Sequence, residues 1–174
     1  MSNYNLKIQK AMKILSKNKN VIFLGQSVVY PGNLIFKSLA EINNKKKIEL
    51  PVFEETQMGM SLGLSLCGFI PVTCFPRFDF LLCGMNQLVN HLDKLEIISK
   101  NIYIPKVIIR VLVGSKKNIN AGEQHTQNYV REFKKILKTI DVYDLKNSEN
   151  IIFNYKKALK SKRSSLFVEY SDLY

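Results

Sequence analysis

The sequence predicts an α/β fold, a three-layer sandwich built on a mainly parallel sheet. Short apolar runs alternate with amphipathic segments along the chain, which is typical of strands joined by crossover helices. The clearest runs, at residues 21–24 and 106–113, are almost wholly apolar, as expected of strands covered on both faces. A length of 174 residues suits one domain with a substantial core.

The first part of the chain is predicted to hold two helices and two strands. Residues 3–17 carry a helical stripe of apolar side chains with lysines on the opposite face. The apolar run at residues 21–24 predicts a buried strand that ends at Gly25. Pro31 is expected to open a helix that continues to Ile42, and residues 48–50 predict the second strand.

Residues 51–68 form the segment around which the other elements are expected to be arranged. Two adjacent carboxylates, Glu54 and Glu55, precede a helical run with almost no polar side chains. Gly59 and Gly63 are four residues apart and therefore share one helix face. Because glycine costs a helix about 1 kcal/mol relative to alanine, the pair indicates that another element approaches closely. We expect a helix too apolar to face water, with the carboxylates at its positive end.

The rest of the chain continues the alternation of strands and helices. The predicted elements are, in order, a strand at 68–75, a loop at 76–80, a long helix to about Ser99, a strand at 106–113, a polar loop at 114–125, a helix at 128–139, a strand at 140–145, a helix at 148–160 with Ser148 as N-cap, and a strand at 166–168. The segments 54–56, 76–80 and 114–125 each follow a strand. Since ligands bind at the carboxyl ends of parallel strands, we expect these three segments to form one site.

The net charge of +12 is carried by lysines in small, separated groups. Because no exposed aromatic residues alternate with them, the pattern does not favour a nucleic-acid surface, and an acidic partner protein is at least as consistent with it. No apolar run approaches the roughly 20 residues of a membrane span, and the N-terminus has no apolar signal-peptide core. We therefore expect a soluble, cytoplasmic chain. Cys67, Cys74 and Cys83 are predicted to be reduced residues of the core.

An ordered set of residues in these segments resembles the pyrimidine-binding domain of thiamine-diphosphate-dependent enzymes. The set comprises residues 21–25, Glu54 with the glycine-spaced helix to Gly68, Pro71 and Val72, the run Phe78-Asp79-Phe80, Gln87, Asn90, Lys94, Gly114, the run Gln124-His125-Thr126-Gln127, and Val168 with Glu169. The chain resembles the N-terminal half of the beta subunit of pyruvate and branched-chain 2-oxo acid dehydrogenases more than it resembles transketolase. The likeness covers about residues 21–170, so residues 1–174 are predicted to be one pyrimidine-binding domain with an N-terminal helix at 1–20.

The resemblance implies that Glu54 hydrogen-bonds the pyrimidine ring of thiamine diphosphate and activates this cofactor. A carboxyl group there favours the imino tautomer, whose nitrogen can take the proton that the thiazolium carbon must lose. Phe80 matches the aromatic residue that stacks on the pyrimidine, a role that suits a flat apolar ring. Gln124 and His125 match the family's Gln-His pair near the reacting carbon, and histidine changes its protonation state close to neutral pH.

The residues around this predicted site carry less specific expectations. Phe78 is a second candidate for cofactor binding, although packing in the core is the simpler interpretation. Glu55 is expected to turn away from the cofactor, and His91 is expected to be structural or to lie at a subunit contact. Thr56 stands where the family usually has glycine, and Gln26 stands where an acidic residue is common.

The resemblance also implies a partner subunit. The sequence contains no Gly-Asp pair and therefore no Gly-Asp-Gly…Asn motif, the family's site for Mg²⁺ and the diphosphate. We expect a split enzyme in which a separate subunit supplies that motif, while this chain contributes no metal ligand. A two-plus-two heterotetramer is the natural symmetric assembly, and the glycine helix is a candidate for its interface. The predicted reaction is decarboxylation of a small 2-oxo acid, followed by transfer or release of the acyl or aldehyde unit.

Three other functions stay open from the sequence. A transketolase-like ketol transfer would use the same cofactor, although the pair Gln124-His125 favours the dehydrogenase-like branch. A regulatory or scaffold subunit would keep the fold without catalysis, but it would be expected to lose Glu54, Phe80 and His125. A nucleic-acid-binding protein would need one contiguous positive face and strongly salt-dependent binding. Neither the specific 2-oxo acid nor the role of the loop at 114–123 follows from the sequence.

Overall fold

A six-stranded sheet forms the centre of the molecule in a computed structural model that describes residues 2–117 and 119–174. The strands are β1 Val21–Gly25, β2 Lys47–Glu49, β3 Ile70–Phe75, β4 Ile108–Val113, β5 Asp141–Asp144 and β6 Ser165–Tyr170. Their order across the sheet is β2-β1-β3-β4-β6-β5. Every neighbouring pair is parallel, so all six strands end at the same edge of the sheet.

Helices cover both faces of this sheet. They are α1 Asn3–Ser16, α2 Leu34–Leu39, α3 Glu54–Leu66, α4 Phe78–Leu81, α5 Leu95–Ile98, α6 Val130–Ile136 and α7 Ile151–Lys160. A π-helical segment, Asn86–Leu92, lies between α4 and α5. Helices α1, α2 and α7 pack around Phe23 and Phe167 on one face, and α3, α4 and α6 pack around Val111 and Val168 on the other. The predicted three-layer α/β sandwich is therefore confirmed.

A fully buried ion pair joins the neighbouring strands β4 and β6. The Nε of Arg110 donates to Oε1 of Glu169 at 2.8 Å, and neither side chain is exposed. The hydroxyl groups of Tyr155 and Tyr174 donate to the same carboxylate, and Nη2 of Arg110 donates to Oγ of Ser38 at 3.1 Å. Burial lowers the pKa of Arg110, but the Glu169 carboxylate outweighs it and raises that pKa above its usual range. Arg110 is thus charged, and removing one partner from a buried ion pair costs about 3–5 kcal/mol.

Two predicted helix starts are wrong because asparagine side chains cap elsewhere. Helix α2 begins at Leu34 instead of Pro31, because the Oδ1 of Asn33 accepts a hydrogen bond from a backbone amide of its first turn. Ser148 is not the N-cap of α7, because Asn147 caps a 3-10 turn that precedes this helix. Asparagine is as good an N-cap as serine, so the composition of these stretches left the exact start open.

The segment after β3 differs from the prediction of a loop followed by one long helix. Helix α4 begins at Phe78, inside the predicted loop at 76–80, and the chain then passes through 3-10, π-helical and α-helical turns before Ser99. Such changes of pitch alter which side chains face the sheet. Phe80 consequently lies on a helix rather than on a loop.

Helix α3 and two cysteines are more exposed than the sequence predicts. The helix itself is confirmed, but Met60 and Leu66 are 37% and 50% exposed, so the prediction of a helix too apolar to face water is wrong for one face. Cys74 is buried as predicted, whereas Cys67 and Cys83 are exposed. In the described part of the chain, no helix is both long enough and apolar enough to cross a membrane.

Candidate active site

The three predicted site segments reach the same region of the sheet by different routes. Because β3 and β4 are adjacent, the segments that follow them meet at the carboxyl edge. Helix α3 follows the edge strand β2, but it packs on β3, two strands away. It also packs against the 3-10 turn Leu82–Gly84 that follows α4. The segment after β4 therefore packs on α4, and the start of α3 lies beside the turn that follows α4.

Glu54 is held by the first turn of α3. It is the first residue of that helix and is 9% exposed. Gln57 lies one turn later on the same face and donates from Nε2 to Oγ1 of Thr73 at 2.8 Å and to the carbonyl oxygen of Cys74 at 3.1 Å. These bonds fasten the first turn of α3 to β3 and so position Glu54. Among the residues that the structure describes, none forms a hydrogen bond or ion pair with the Glu54 carboxylate, which leaves it available to a ligand.

The neighbouring carboxylate faces different surroundings. Glu55 is exposed, and its Oε1 accepts a hydrogen bond from Nδ2 of Asn86 at 3.0 Å. Successive residues of a helix are about 100° apart around its axis, so Glu54 and Glu55 cannot share one face. The structure buries one carboxylate without a protein partner and leaves the other at the surface with an asparagine.

Phe80 and His125 contact each other across the two adjacent strand ends. Their rings meet edge-to-face with centroids 5.3 Å apart and an interplanar angle of 90°. Phe80 and Gln124 line an open groove with a volume of about 440 Å³. Glu54 is not part of that groove wall. The structure thus brings Phe80, Gln124 and His125 together and leaves Glu54 on the adjoining helix.

Asp79 connects α4 to the segment that follows β4. The sequence did not predict this role. Its side chain is 8% exposed, and its Oδ1 accepts a hydrogen bond from the amide of Gln127 at 3.2 Å. Its Oδ2 is buried and has no partner in the described part of the chain. Burial, followed by the carboxylates of Asp79 and Glu132, raises the pKa of Tyr129. The only signal in the sequence was a carboxylate between two phenylalanines, because the partner of Asp79 is 48 residues away.

The chain is similar in sequence to beta subunits of pyruvate dehydrogenase E1. It is 26% identical over 166 residues to the subunit of Cyanidium caldarium, 26% identical over 165 residues to the mitochondrial subunit of Chaetomium thermophilum, and 24% identical over 166 residues to that of Gracilaria tenuistipitata var. liui. Each match covers 92% of this chain and 49%, 42% and 50% of the respective relative. The chain thus spans about half the length of the curated relatives it matches. No family model matches it.

The fold also matches a solved structure. A chain described as an inactive beta4 tetramer of a split-gene transketolase superposes with a TM-score of 0.62 and 16% identity, over 97% of this chain and 50% of that chain. This likeness shows that the chain shares the fold of half of that transketolase chain. The resemblance predicted from the sequence is therefore confirmed, while the roles of individual residues stay predictions.

Phe78 and His91 occupy contrasting places in this fold. Phe78 is fully buried, and its ring packs against Tyr129 and Phe133 with centroid distances of 5.6 and 5.1 Å. It is inaccessible from the groove, so we do not carry it into the proposed site. His91 is exposed on the π-helical segment, and its expected place at a subunit contact stays a prediction.

The groove beside Phe80 is lined by acidic side chains rather than by basic ones. Its charged wall residues are Asp79 and Glu123. Within residues 2–117 and 119–174, no three His, Cys, Asp or Glu side chains are grouped so that they could hold a metal ion. The surroundings suit a neutral, flat ring with polar edges, and they do not suit a polyanion.

Proposed function

We propose that this chain is the pyrimidine-binding subunit of a split thiamine-diphosphate-dependent enzyme. The enzyme would decarboxylate a 2-oxo acid and transfer or release the resulting acyl or aldehyde unit. The similarity to pyruvate dehydrogenase E1 beta subunits supports the cofactor and the substrate class. The observation that carries the proposal is Glu54, a mostly buried carboxylate at the start of α3 that no described residue engages.

The described residues fit the pyrimidine part of that cofactor. An aminopyrimidine needs an apolar face and a hydrogen-bonding partner for its ring nitrogen. Phe80 offers an aromatic face that is only half-buried, and stacking on such a ring adds roughly 0.5–1.5 kcal/mol beyond the burial of area. Glu54 offers the carboxyl group on the adjoining helix. The acidic groove does not fit the diphosphate, which therefore requires groups from elsewhere.

The bound cofactor would supply a carbon nucleophile and an electron sink. Glu54 would hold a proton between its carboxyl oxygen and the pyrimidine ring. His125, fixed against the edge of Phe80, would give a proton to the substrate or take one from it. Gln124 would orient the substrate through its amide group. Each of these roles belongs to a residue of this chain.

A partner subunit would complete the site. We propose that it carries a Gly-Asp-Gly…Asn motif and binds the diphosphate with Mg²⁺, because a doubly charged diphosphate needs a hard cation or oriented donors. The similarity to a split-gene transketolase and to beta subunits of E1 supports a division of the site between chains. We propose a two-plus-two heterotetramer. The predicted cytoplasmic location and the assignment of residues 1–174 to one domain stay predictions.

A transketolase-like ketol transfer is the second candidate. The fold match to a split-gene transketolase supports this candidate, but the same match is expected for other enzymes that share the fold. The two candidates differ in their donor substrate, a 2-oxo acid in one case and a ketose in the other. Assays of the assembled enzyme with both donors distinguish them.

The decisive experiment is to purify the tagged chain from its own cells together with its partner. We expect a stoichiometric protein that carries Gly-Asp-Gly…Asn and thiamine diphosphate that binds only to the pair. Replacing Glu54 by glutamine keeps the side-chain size but removes the acidic group. In the assembled enzyme, Glu54→Gln should lower cofactor-dependent turnover by about a hundredfold or more, within the range of general acid–base contributions.

The matched control for this experiment is Glu55→Gln. It makes the same chemical change one residue away, at an exposed side chain that accepts a hydrogen bond from Asn86. We expect turnover within about twofold of wild type, because surface changes away from a site have small effects. Full activity of Glu54→Gln, or an equal loss in the two variants, would show that Glu54 does not activate the cofactor.

A further inference from the structure

A second cavity lies at the carboxyl edge of the sheet. It has a volume of about 290 Å³ and lies among segments that follow four strands, β1, β3, β4 and β6. Its polar and aromatic wall is made of Asn33, Lys37, Arg77, Ser115, Ser171 and Tyr174. None of these residues lines the groove of Phe80 and Gln124, so the proposed cofactor role makes no use of this cavity.

Two hydrogen-bonding groups of this wall are buried without a partner in the described part of the chain. Arg77 donates from Nη1 to the carbonyl oxygen of Pro76 at 2.8 Å, but its Nε is buried and unpaired. Ser171 is 9% exposed, and its Oγ is also buried and unpaired. Buried donors are normally satisfied. Two such groups on one cavity wall indicate a ligand that accepts hydrogen bonds.

The charge of the cavity has one sign. Lys37 and Arg77 are its ionised wall residues, and neither forms an ion pair with any residue that the structure describes. The acidic residue of the same region, Asp172, is already engaged by Oγ of Ser115 and by the amides of Lys116 and Lys117. The hydrogen bond from the Ser115 hydroxyl is the main reason why the pKa of Asp172 lies below its usual range. Asp172 is not a wall residue of the cavity and forms no ion pair with Lys37 or Arg77 in the described part of the chain.

The remaining wall residues supply a hydrogen-bond donor and an aromatic ring. The Oδ1 of Asn33 caps α2 by accepting from the amide of Phe36 at 3.1 Å, so the free end of its side chain is a donor. The hydroxyl of Tyr174 donates to Glu169 on the core side, so Tyr174 contributes an apolar ring to the cavity. The wall thus combines two cations, neutral donors and one aromatic surface.

We propose that this cavity binds the oxyanion of a small molecule, either a carboxylate or a phosphate. The planar guanidinium of Arg77 matches such groups with two parallel hydrogen bonds. Lys37 adds a second positive charge from α2, and Ser171 donates from the segment after β6. The proposal does not depend on the proposed function, because it concerns a wall that shares no residue with the Phe80 groove.

The test is titration of the purified full chain with inorganic phosphate and with acetate, at an ionic strength held constant with chloride. Heat of binding gives the dissociation constant, and the NMR signal of the Arg77 Nε–H reports the site. We expect a saturable shift of that signal with at least one of the two anions. The anion that binds more tightly identifies the ligand group as phosphate or carboxylate.

Three variants locate the binding. Arg77→Gln should raise the dissociation constant about tenfold or more, as expected for loss of charge-assisted hydrogen bonds. Lys37→Gln should also raise the dissociation constant. Because the Lys37 side chain is exposed, this substitution is not expected to disturb the fold. Lys45→Gln is the control, because Lys45 is exposed and precedes β2, at the opposite edge of the sheet. Non-saturable binding of both anions, or equal weakening by Lys45→Gln, would overturn the proposal.

Discussion

The segment after β4 can follow its observed path only because Gly114 has no side chain. A Cβ on this residue would lie 1.9 Å from the carbonyl oxygen of His125 and 3.4 Å from Cδ of Arg77. The first distance is far below any allowed contact, so the backbone of His125 can take its position only against glycine. Gly114 thus sets the place of His125 beside Phe80.

We predict that Gly114→Ala displaces the backbone of His125. Overpacking of this kind typically costs about 1–3 kcal/mol of stability, which urea denaturation of the chain measures. In the assembled enzyme, turnover should fall together with stability because His125 moves away from Phe80. Gly59→Ala is the control: its Cβ would meet Gln87 at 3.6 Å, an ordinary contact, and alanine favours the helix. Unchanged stability and turnover of Gly114→Ala would contradict the role of this contact.

The functional role of a single side chain could be predicted only where a local sequence pattern points to it. Glu54, Phe80 and His125 stand out through their resemblance to a family motif. Gln57, which fastens α3 through Thr73, looks like any polar residue of an apolar helix. Its function comes from a contact 16 residues away, and no local pattern encodes that contact.

At the scale of elements, Asp93 joins the end of the π-helical segment to the connection between α6 and β5. Its side chain is fully buried, and its Oδ1 accepts hydrogen bonds from the amides of Lys138 and Thr139, both at 2.8 Å. Lys94 donates to Oδ2 at 2.6 Å. Burial raises the pKa of Asp93, but the hydrogen bonds from Lys94, Thr139 and Lys138 outweigh it and hold this pKa below its usual range. The carboxylate form is therefore the one that the fold stabilises.

We predict that Asp93→Asn destabilises the chain by about 1–3 kcal/mol at pH 7, because charge-assisted bonds to buried amides are weakened. The lowered pKa means that the folded state binds this proton less tightly than the unfolded state. The stabilisation is therefore complete above the ordinary aspartate pKa of about 3.9 and is lost as the pH falls through the lower folded value. Urea denaturation at neutral and acidic pH should show the difference between wild type and variant shrinking in acid.

The control for this prediction is Glu132→Gln. Glu132 is an exposed acid on α6, and its removal should change the free energy of unfolding by no more than about 0.5 kcal/mol at either pH. A difference for Asp93→Asn that stays constant down to acid would contradict the assigned role of the carboxylate.

Across the whole molecule, several large apolar side chains are exposed, and some of them lie on α3. On α3, Met60 and Leu66 are 37% and 50% exposed, and apart from the adjacent backbone of the helix no described atom lies within 4 Å of the position that a Cβ on Gly63 would take. Further along the chain, Ile98 and Ile102 are 70% and 76% exposed. Helix α3 thus packs on the sheet with one face and exposes the other, which supports the prediction that α3 belongs to a subunit interface.

We predict that Gly63→Arg prevents association with the partner subunit and leaves the chain folded. The new side chain meets open space in the chain itself, and arginine favours a helix more than glycine does. The measurement is co-purification of the partner, with thermal unfolding of the isolated chain as a check on folding.

Asn44→Arg is the matched control for the interface. It adds the same charge to an exposed residue in the turn that precedes β2, at the edge of the sheet opposite the proposed site. We expect full co-purification of this variant. A Gly63→Arg chain that still brings down its partner would show that α3 lies outside the interface.

Most strands and helices, the fold class and the family resemblance could be predicted from the amino-acid sequence alone. Strands β1, β3 and β4 and helices α1 and α3 were predicted close to their observed bounds, because buried strands and amphipathic helices are encoded by local periodicity. Three further features became known only from the tertiary structure. They are which of Glu54 and Glu55 is buried, which ring touches His125, and which donors of Arg77 and Ser171 lack partners among the described residues. These outcomes depend on the strand order β2-β1-β3-β4-β6-β5, which brings together residues far apart in sequence. Local periodicity carries no information about such long-range neighbours.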